Sequence, residues 1–260
     1  MSNDEVALCH AERRNRYSGF VELSMPRLAR VVCPGVPHHI TQRGIRRSNV
    51  FLEIEDYELY LKLLRFNSRH FGLDILAYCL MTNHVHVLGI PKHETSLART
   101  FQGCHGLYAE SFNKKYKCSG HLWQSRPYSC VMDEFHTWAA IRYIECNPVR
   151  AHMVSQAEAY RWSSAPAHCG LASDPLLLKN WPPIQFDMNW SEWLRQAPNL
   201  QQESWIRRRT FTGRPCGDSS FVSKIEQIVG RRLAPEKPGR KSVRKSETLS
   251  EVLGSVDEPE

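Results

Sequence analysis

Between His38 and Cys146 the chain changes hydrophobic period repeatedly, and the order of those changes restricts its fold more than any other feature. His38 to Arg43 alternates modestly and holds the β-prone Ile40 and Thr41, which predicts a strand that Gly44 ends. Asp56 to Phe71 sets Tyr57, Tyr60, Leu61, Leu64 and Phe71 at helical spacing, with Ser68 as a polar interruption and Gly72 as C-cap. Leu73 to Met81 and His84 to Ile90 read as two apolar strands joined by a Thr82-Asn83 turn. Ser96 to Lys115 returns to helical spacing through Leu97, Phe101, Leu107, Tyr108 and Phe112, with Ser96 as N-cap. Tyr128 to Met132 predicts another strand. Asp133 to Cys146 predicts a helix capped by Asp133, with Pro148 just beyond its end. The order β-α-β-β-α-β and then a helix is the split βαβ pattern, an α+β fold with a ferredoxin-like antiparallel sheet and packed helices.

Four segments follow from the same reading. Residues 1–24 are polar and aperiodic and read as a disordered N-terminal arm; 25–155 form the patterned domain. Residues 156–204 are an irregular segment punctuated by Pro166, Pro175, Pro182, Pro183 and Pro198. Trp162, Trp181, Trp190, Trp193 and Trp205 are expected to anchor the C-terminal part on the main domain. Residues 205–260 form a basic, helical extension with a disordered tail from Pro235. Phe221, Val222, Ile225, Ile228 and Val229 predict one amphipathic helix within it.

Charge points to the partner class. The formal net charge is +7. Residues 205–245 hold twelve Lys/Arg against three Asp/Glu, so the basic character sits there and the remainder is slightly acidic. A localised basic region suits a polyanion, usually nucleic acid. No run of eighteen apolar residues exists, which argues against a membrane span. The first 25 residues lack an apolar stretch of secretory type. Nine scattered cysteines without a CxxC pair argue against a disulfide framework or a structural zinc site, and reduced thiols in a cytoplasm are the simplest reading.

His84 and His86 are two apart on a predicted strand, so both imidazoles face one side of the sheet while Val85 and Val87 face the other. Two imidazoles so placed can bind one divalent cation; a bare pair also arises as two strand histidines, one satisfied by hydrogen bonds. Tyr143 and Asn147 are four apart on a predicted helix and project from one face. The Asn147 amide oxygen suits a hard divalent ion as a third ligand. Alternatively Tyr143 is a core aromatic and Asn147 a C-terminal cap, and both roles can hold together.

Ala77-Tyr78-Cys79-Leu80-Met81-Thr82-Asn83-His84-Val85-His86-Val87-Leu88 resembles the HUH strand of REP-associated tyrosine transposases, a branch of the single-tyrosine HUH transposases. Arg142-Tyr143-Ile144-Glu145-Cys146-Asn147-Pro148-Val149-Arg150-Ala151 resembles that family's catalytic helix. Met25-Pro26-Arg27, Pro37-His38-His39-Ile40-Thr41-Gln42-Arg43-Gly44 and Gly120-His121-Leu122-Trp123-Gln124 are further matches. Arg207-Arg208-Arg209-Thr210 followed by Thr212-Gly213-Arg214-Pro215 resembles its basic tail. Thr82 stands where proline is common, and His152 where glycine is common.

The resemblance implies a ferredoxin-like core over 25–155 and a divalent metal, Mg²⁺ or Mn²⁺, held by His84, His86 and Asn147. It implies Tyr143 as the nucleophile that cuts single-stranded DNA beside hairpins, leaving a 5′-phosphotyrosine and a 3′-hydroxyl. The expected outcome is DNA transposition or processing of REP elements by a cytoplasmic monomer or weak dimer. Phenol titrates near pH ~10, so a base is required; His105 and His136 are candidates by residue type alone. Arg43, Arg46, Arg47, Arg126 and Arg150 flank the motifs and are expected at phosphates, though each equally reads as a solvated surface charge; the denser group Arg207, Arg208, Arg209 and Arg214 is expected to help grip the hairpin or its flanking sequence. The competing readings are a domesticated sequence-specific DNA-binding protein, a metal phosphodiesterase that uses water, and a replication initiator or relaxase. The last shares only the short histidine motif.

Overall fold

The computed structural model describes residues 29–179 and 189–233. The expected arm at 1–24, Met25-Pro26-Arg27, Trp181, Pro182, Pro183 and the tail from Pro235 lie outside the described residues. Four strands, β1 (His38–Arg43), β2 (Leu73–Met81), β3 (His84–Pro91) and β4 (Tyr128–Val131), form one sheet in the order β2-β3-β1-β4. Every pairing is antiparallel. This is the ferredoxin-like arrangement expected from the element order.

The alternation of the strands sorts the core into two layers. Ile40, Tyr78, Leu80, Val85 and Val87 pack under α1 (Ile54–Phe71) and α2 (Ser96–Tyr116), against Tyr57, Tyr60, Leu64, Leu97 and Phe101. Ala77, Cys79, Met81, Leu88 and Cys130 face the opposite side, against Ile141, Tyr143 and Ile144 of α3 (Glu134–Glu145) and Ile206 of a later helix. Burying each large aliphatic side chain contributes about 1.5–3 kcal/mol. The sheet is thus covered on both faces.

Local details differ from expectation at three helix ends. Helix α1 starts two residues before Asp56 because Asp56 works from inside the first turn: its Oδ2 accepts the backbone N–H groups of Leu52 (2.8 Å) and Glu53 (3.0 Å). Ser96 is the first residue of α2 rather than its cap, since Thr95 holds that place and the Ser96 hydroxyl accepts the His93 N–H at 3.0 Å. Asp133 does cap α3, accepting the His136 N–H at 2.8 Å. However, α3 ends at Glu145, and Asn147–Arg150 forms a separate turn, α4, with Pro148 in its first positions. Tyr143 and Asn147 therefore lie on two consecutive helices either side of Cys146.

Among the described residues a 3₁₀ turn (Ala157–Ala159) and four further α-helices follow: α5 (Ala165–His168), α6 (Trp190–Arg195), α7 (Leu200–Thr212) and α8 (Ser219–Val229). Helix α7 runs across the expected division at 204/205. Of the expected anchors, Trp162 stacks on Tyr57 at 4.6 Å and Trp190 donates to Glu145 Oε2 at 2.8 Å. Trp193 meets Trp190 at 5.0 Å, and Trp205 stacks under Arg209. Helix α8 sets Ile225 against Val131 and Val31, and the Cys216 N–H donates to the Val131 carbonyl at 2.8 Å, which covers part of the exposed edge of β4. The eight described cysteines are free thiols. Among the described residues, no helix is long and apolar enough to cross a membrane.

Candidate active site

The face of the sheet under α3 carries the polar cluster. Thr41 pairs with His86 and Arg43 with His84, so His39, Thr41, Arg43, His84 and His86 share this face by strand alternation. Helix α3 lays Tyr143 across it. The ring centroids of His84 and His86 are 5.0 Å apart, those of His86 and Tyr143 5.5 Å, and those of His39 and Tyr143 6.0 Å, each pair edge to face. His39 and His86 stack in parallel at 5.1 Å.

Each of the two strand histidines is held through Nδ1. The Asn83 amide nitrogen donates to the Arg47 carbonyl at 3.1 Å, which turns Asn83 Oδ1 toward His84 Nδ1 at 2.6 Å. An amide oxygen only accepts, so His84 donates from Nδ1 and keeps its lone pair on Nε2. His86 Nδ1 lies 2.9 Å from His39 Nε2, and His39 Nδ1 lies 2.8 Å from Thr210 Oγ1 on α7. Burial, then Arg43, pushes the His84 pKa down to about 3; burial, then His84 and His39, takes His86 well below its ordinary value. Both rings are therefore neutral at neutral pH. Two neutral imidazoles on one face, each gripped at Nδ1, fit a divalent cation at their Nε2 atoms. Among the described residues, no group of three or more His, Cys, Asp or Glu side chains is arranged to hold a metal. Asn147 is half-buried, and its Nδ2 donates to the Tyr143 carbonyl at 3.2 Å, which is the capping geometry.

Tyr143 is 6% exposed. Burial raises its pKa, while Arg150, Arg207 and Arg43 pull the other way and Glu203 adds to the rise. The Arg150 guanidinium lies 4.4 Å over the Tyr143 ring, donates to the Tyr143 carbonyl, and pairs with Glu203 Oε1 of α7 at 3.0 Å. Neither histidine proposed as a base by residue type meets Tyr143. His105 Nε2 is bonded to the Tyr60 hydroxyl at 2.9 Å in the other layer of the core, and His136 Nδ1 to Asp133 at 2.7 Å at the far end of α3.

The arginines divide by environment. Arg46 and Arg47 are exposed in a 3₁₀ turn, both at positive φ, and the half-buried Arg43 is beside His84. Arg126 is exposed on the loop before β4. Arg207 and Arg208 are exposed on α7, whereas Arg209 is half-buried 4.0 Å over Trp205, and Arg214 donates to the Leu233 carbonyl. Arg150 is directed inward. His39, Glu203 and Thr210 join the cluster without having been singled out. His39 stood inside a recognised motif, but only the β1–β3 register reveals its neighbour, and nothing local announces that Thr210 reaches it from 171 residues away.

Residues 35–147 match the family described as IS200-like transposases. No protein of curated function matches the chain. Among solved structures, a REP-associated tyrosine transposase bound to a REP hairpin is 16% identical, aligning over 60% of this chain and 98% of its own with a TM-score of 0.46. A protein of Deinococcus radiodurans R1 described as a candidate transposase is 20% identical over 45% of this chain and 93% of its own, with a TM-score of 0.34. The match begins just before β1, ends with Asn147 and so takes in both histidines and Tyr143.

Proposed function

We propose that the protein cuts and rejoins single-stranded DNA beside hairpins, with Tyr143 as nucleophile and His84 and His86 as ligands of Mg²⁺ or Mn²⁺. The observation that carries this reading is the convergence of His84, His86 and Tyr143 on one face of the sheet, with ring centroids 5.0 and 5.5 Å apart. Asn147 stands next in the chain to supply an oxygen, provided its amide turns from the Tyr143 carbonyl. A bound divalent cation supplies charge neutralisation at a phosphate oxygen.

The chain's own residues do the rest. Tyr143 Oη attacks phosphorus, the bond to the 3′ oxygen breaks, the phenolic proton leaves and the departing oxygen takes up a proton as a 3′-hydroxyl. The product is a 5′-phosphotyrosine. Attack by another 3′-hydroxyl reverses the step, so rejoining needs no nucleotide cofactor. Arg43, Arg150 and Arg207 stabilise negative charge on the phenolate by their proximity to Tyr143. Arg46, Arg47, Arg126, Arg207 and Arg208 offer exposed guanidiniums for the strand's phosphates. Action as a cytoplasmic monomer or weak dimer belongs to the same reading.

The test is a denaturing gel of protein mixed with Mn²⁺ and labelled single-stranded hairpin oligonucleotides taken from beside its gene. A protein–DNA adduct lost in Tyr143→Phe and in His84→Ala is the expected result. An adduct that survives Tyr143→Phe removes the nucleophile assignment. Hairpin binding without any adduct favours a domesticated DNA-binding protein.

A further inference from the structure

We propose that Thr210 and His39 are positioning residues that hold His86 as its Nδ1-protonated tautomer, so that helix α7, outside the family-matched segment, sets the metal-binding edge of the site. The inference deepens the proposed function, which makes His86 a ligand. It follows from counting protons along one hydrogen-bonded chain.

The Ile206 carbonyl has no proton to give, so the Thr210 hydroxyl donates to it at 2.8 Å. A hydroxyl has one proton and two lone pairs. Thr210 Oγ1 must therefore accept its other two contacts, from the Cys130 thiol at 3.2 Å and from His39 Nδ1 at 2.8 Å. His39 is 1% exposed and its ring nitrogens meet a hydroxyl and an imidazole, neither an anion, so a proton charge there would be buried unpaired and the ring is neutral. A neutral imidazole protonated at Nδ1 carries its lone pair on Nε2. His39 Nε2 thus accepts from His86 Nδ1 at 2.9 Å, and the lone pair of His86 is left on Nε2, across the ring from His39. His84 reaches the same state through Asn83. The two ligands are matched by different means, one by a turn residue and the other by a helix more than a hundred residues away.

The geometry also couples α7 to both halves of the site. Glu203, Ile206 and Thr210 form its buried face. Glu203 holds Arg150 over Tyr143, and Thr210 holds His39 against His86. Buried histidines satisfied merely for packing would not require one particular tautomer at His86, which is what separates the two accounts.

The experiment uses the full chain labelled with ¹⁵N. Long-range ¹H–¹⁵N spectra of the metal-free wild type should show His86 and His39 both protonated at Nδ1. Thr210→Val keeps the shape but removes the hydroxyl; the His39 tautomer should then become mixed, and Mn²⁺ should bind about 10–100-fold more weakly. Thr210→Ser should restore both. His86 protonated at Nε2 in the wild type overturns the proposal, even if Thr210→Val does not fold. So does a folded Thr210→Val that binds Mn²⁺ as tightly as wild type. A wild type that binds no Mn²⁺ yet shows the tautomers, lost in Thr210→Val, leaves the relay standing and removes the metal from the proposed function.

Discussion

Arg150 lies 4.4 Å over the ring of Tyr143 and donates to that residue's own carbonyl oxygen. The same guanidinium pairs with Glu203, whose side chain is 10% exposed. Removing it leaves a mostly buried carboxylate unpaired and frees the ring it clamps. Arg150→Ala should cost about 1–3 kcal/mol of stability and lower the yield of covalent adduct, read by urea unfolding and by the gel assay. Arg150→Lys keeps the charge but cannot span both partners, and should recover only part. An Arg150→Ala protein as stable as wild type, with only weaker DNA binding, would mean the side chain serves phosphates instead.

The exposed arginines should behave differently. Each that meets a phosphate of single-stranded DNA contributes a slope of about 0.7 to the fall of log affinity with log salt. Arg46→Ala, Arg47→Ala, Arg207→Ala and Arg208→Ala should each flatten that slope while leaving the unfolding midpoint in place. Arg214→Ala should do the reverse, because Arg214 is spent on the Leu233 carbonyl. Binding titrations over a range of salt concentrations decide between the two patterns.

Two histidines away from Tyr143 and its partners predict acid lability. His38 and His105 are buried, and burial lowers their pKa values to about 4 and about 3. The unfolded chain protonates both near the ordinary value of ~6.5. Below that pH the unfolded state binds more protons than the folded one, so stability falls as pH drops from about 6.5 toward 4, by about 1.4 kcal/mol per pH unit for each group. Urea midpoints measured between pH 7.5 and 5 should decline, and less so in His105→Phe. A flat profile would contradict the burial of both rings.

Much of this was legible in the sequence because periodicity is local. Alternating or apolar β-prone runs marked all four strands, helical spacing and capping residues marked the three long helices between and after them, and strand parity put His84 and His86 on one face with Val85 and Val87 on the other. The break at Cys146 was not legible. Pro148 signals either the end of a helix or the start of one, and only the backbone shows a new turn beginning at Asn147. Long-range partners were equally hidden. His39 meets His86 through strand register, and Thr210 enters from a helix whose sequence advertises its arginines rather than its buried face.

His152 carries the last prediction. It follows α4 with φ +55 and is exposed, and its N–H donates to the Val149 carbonyl at 3.0 Å as the turn closes. A left-handed backbone brings Cβ close to the following carbonyl, at a cost of about 1–2 kcal/mol for an L residue. Glycine has no such contact, which is the physical reason for its frequency at this place in the family that the sequence resembles. Glycine also loses more freedom on folding, which offsets about 0.5–1 kcal/mol of the gain. His152→Gly should therefore stabilise the protein by up to about 1 kcal/mol. His152→Ala keeps the Cβ and should change stability little. Equal urea midpoints for the two variants would mean that the side chain, not the backbone, sets the energetics of this turn.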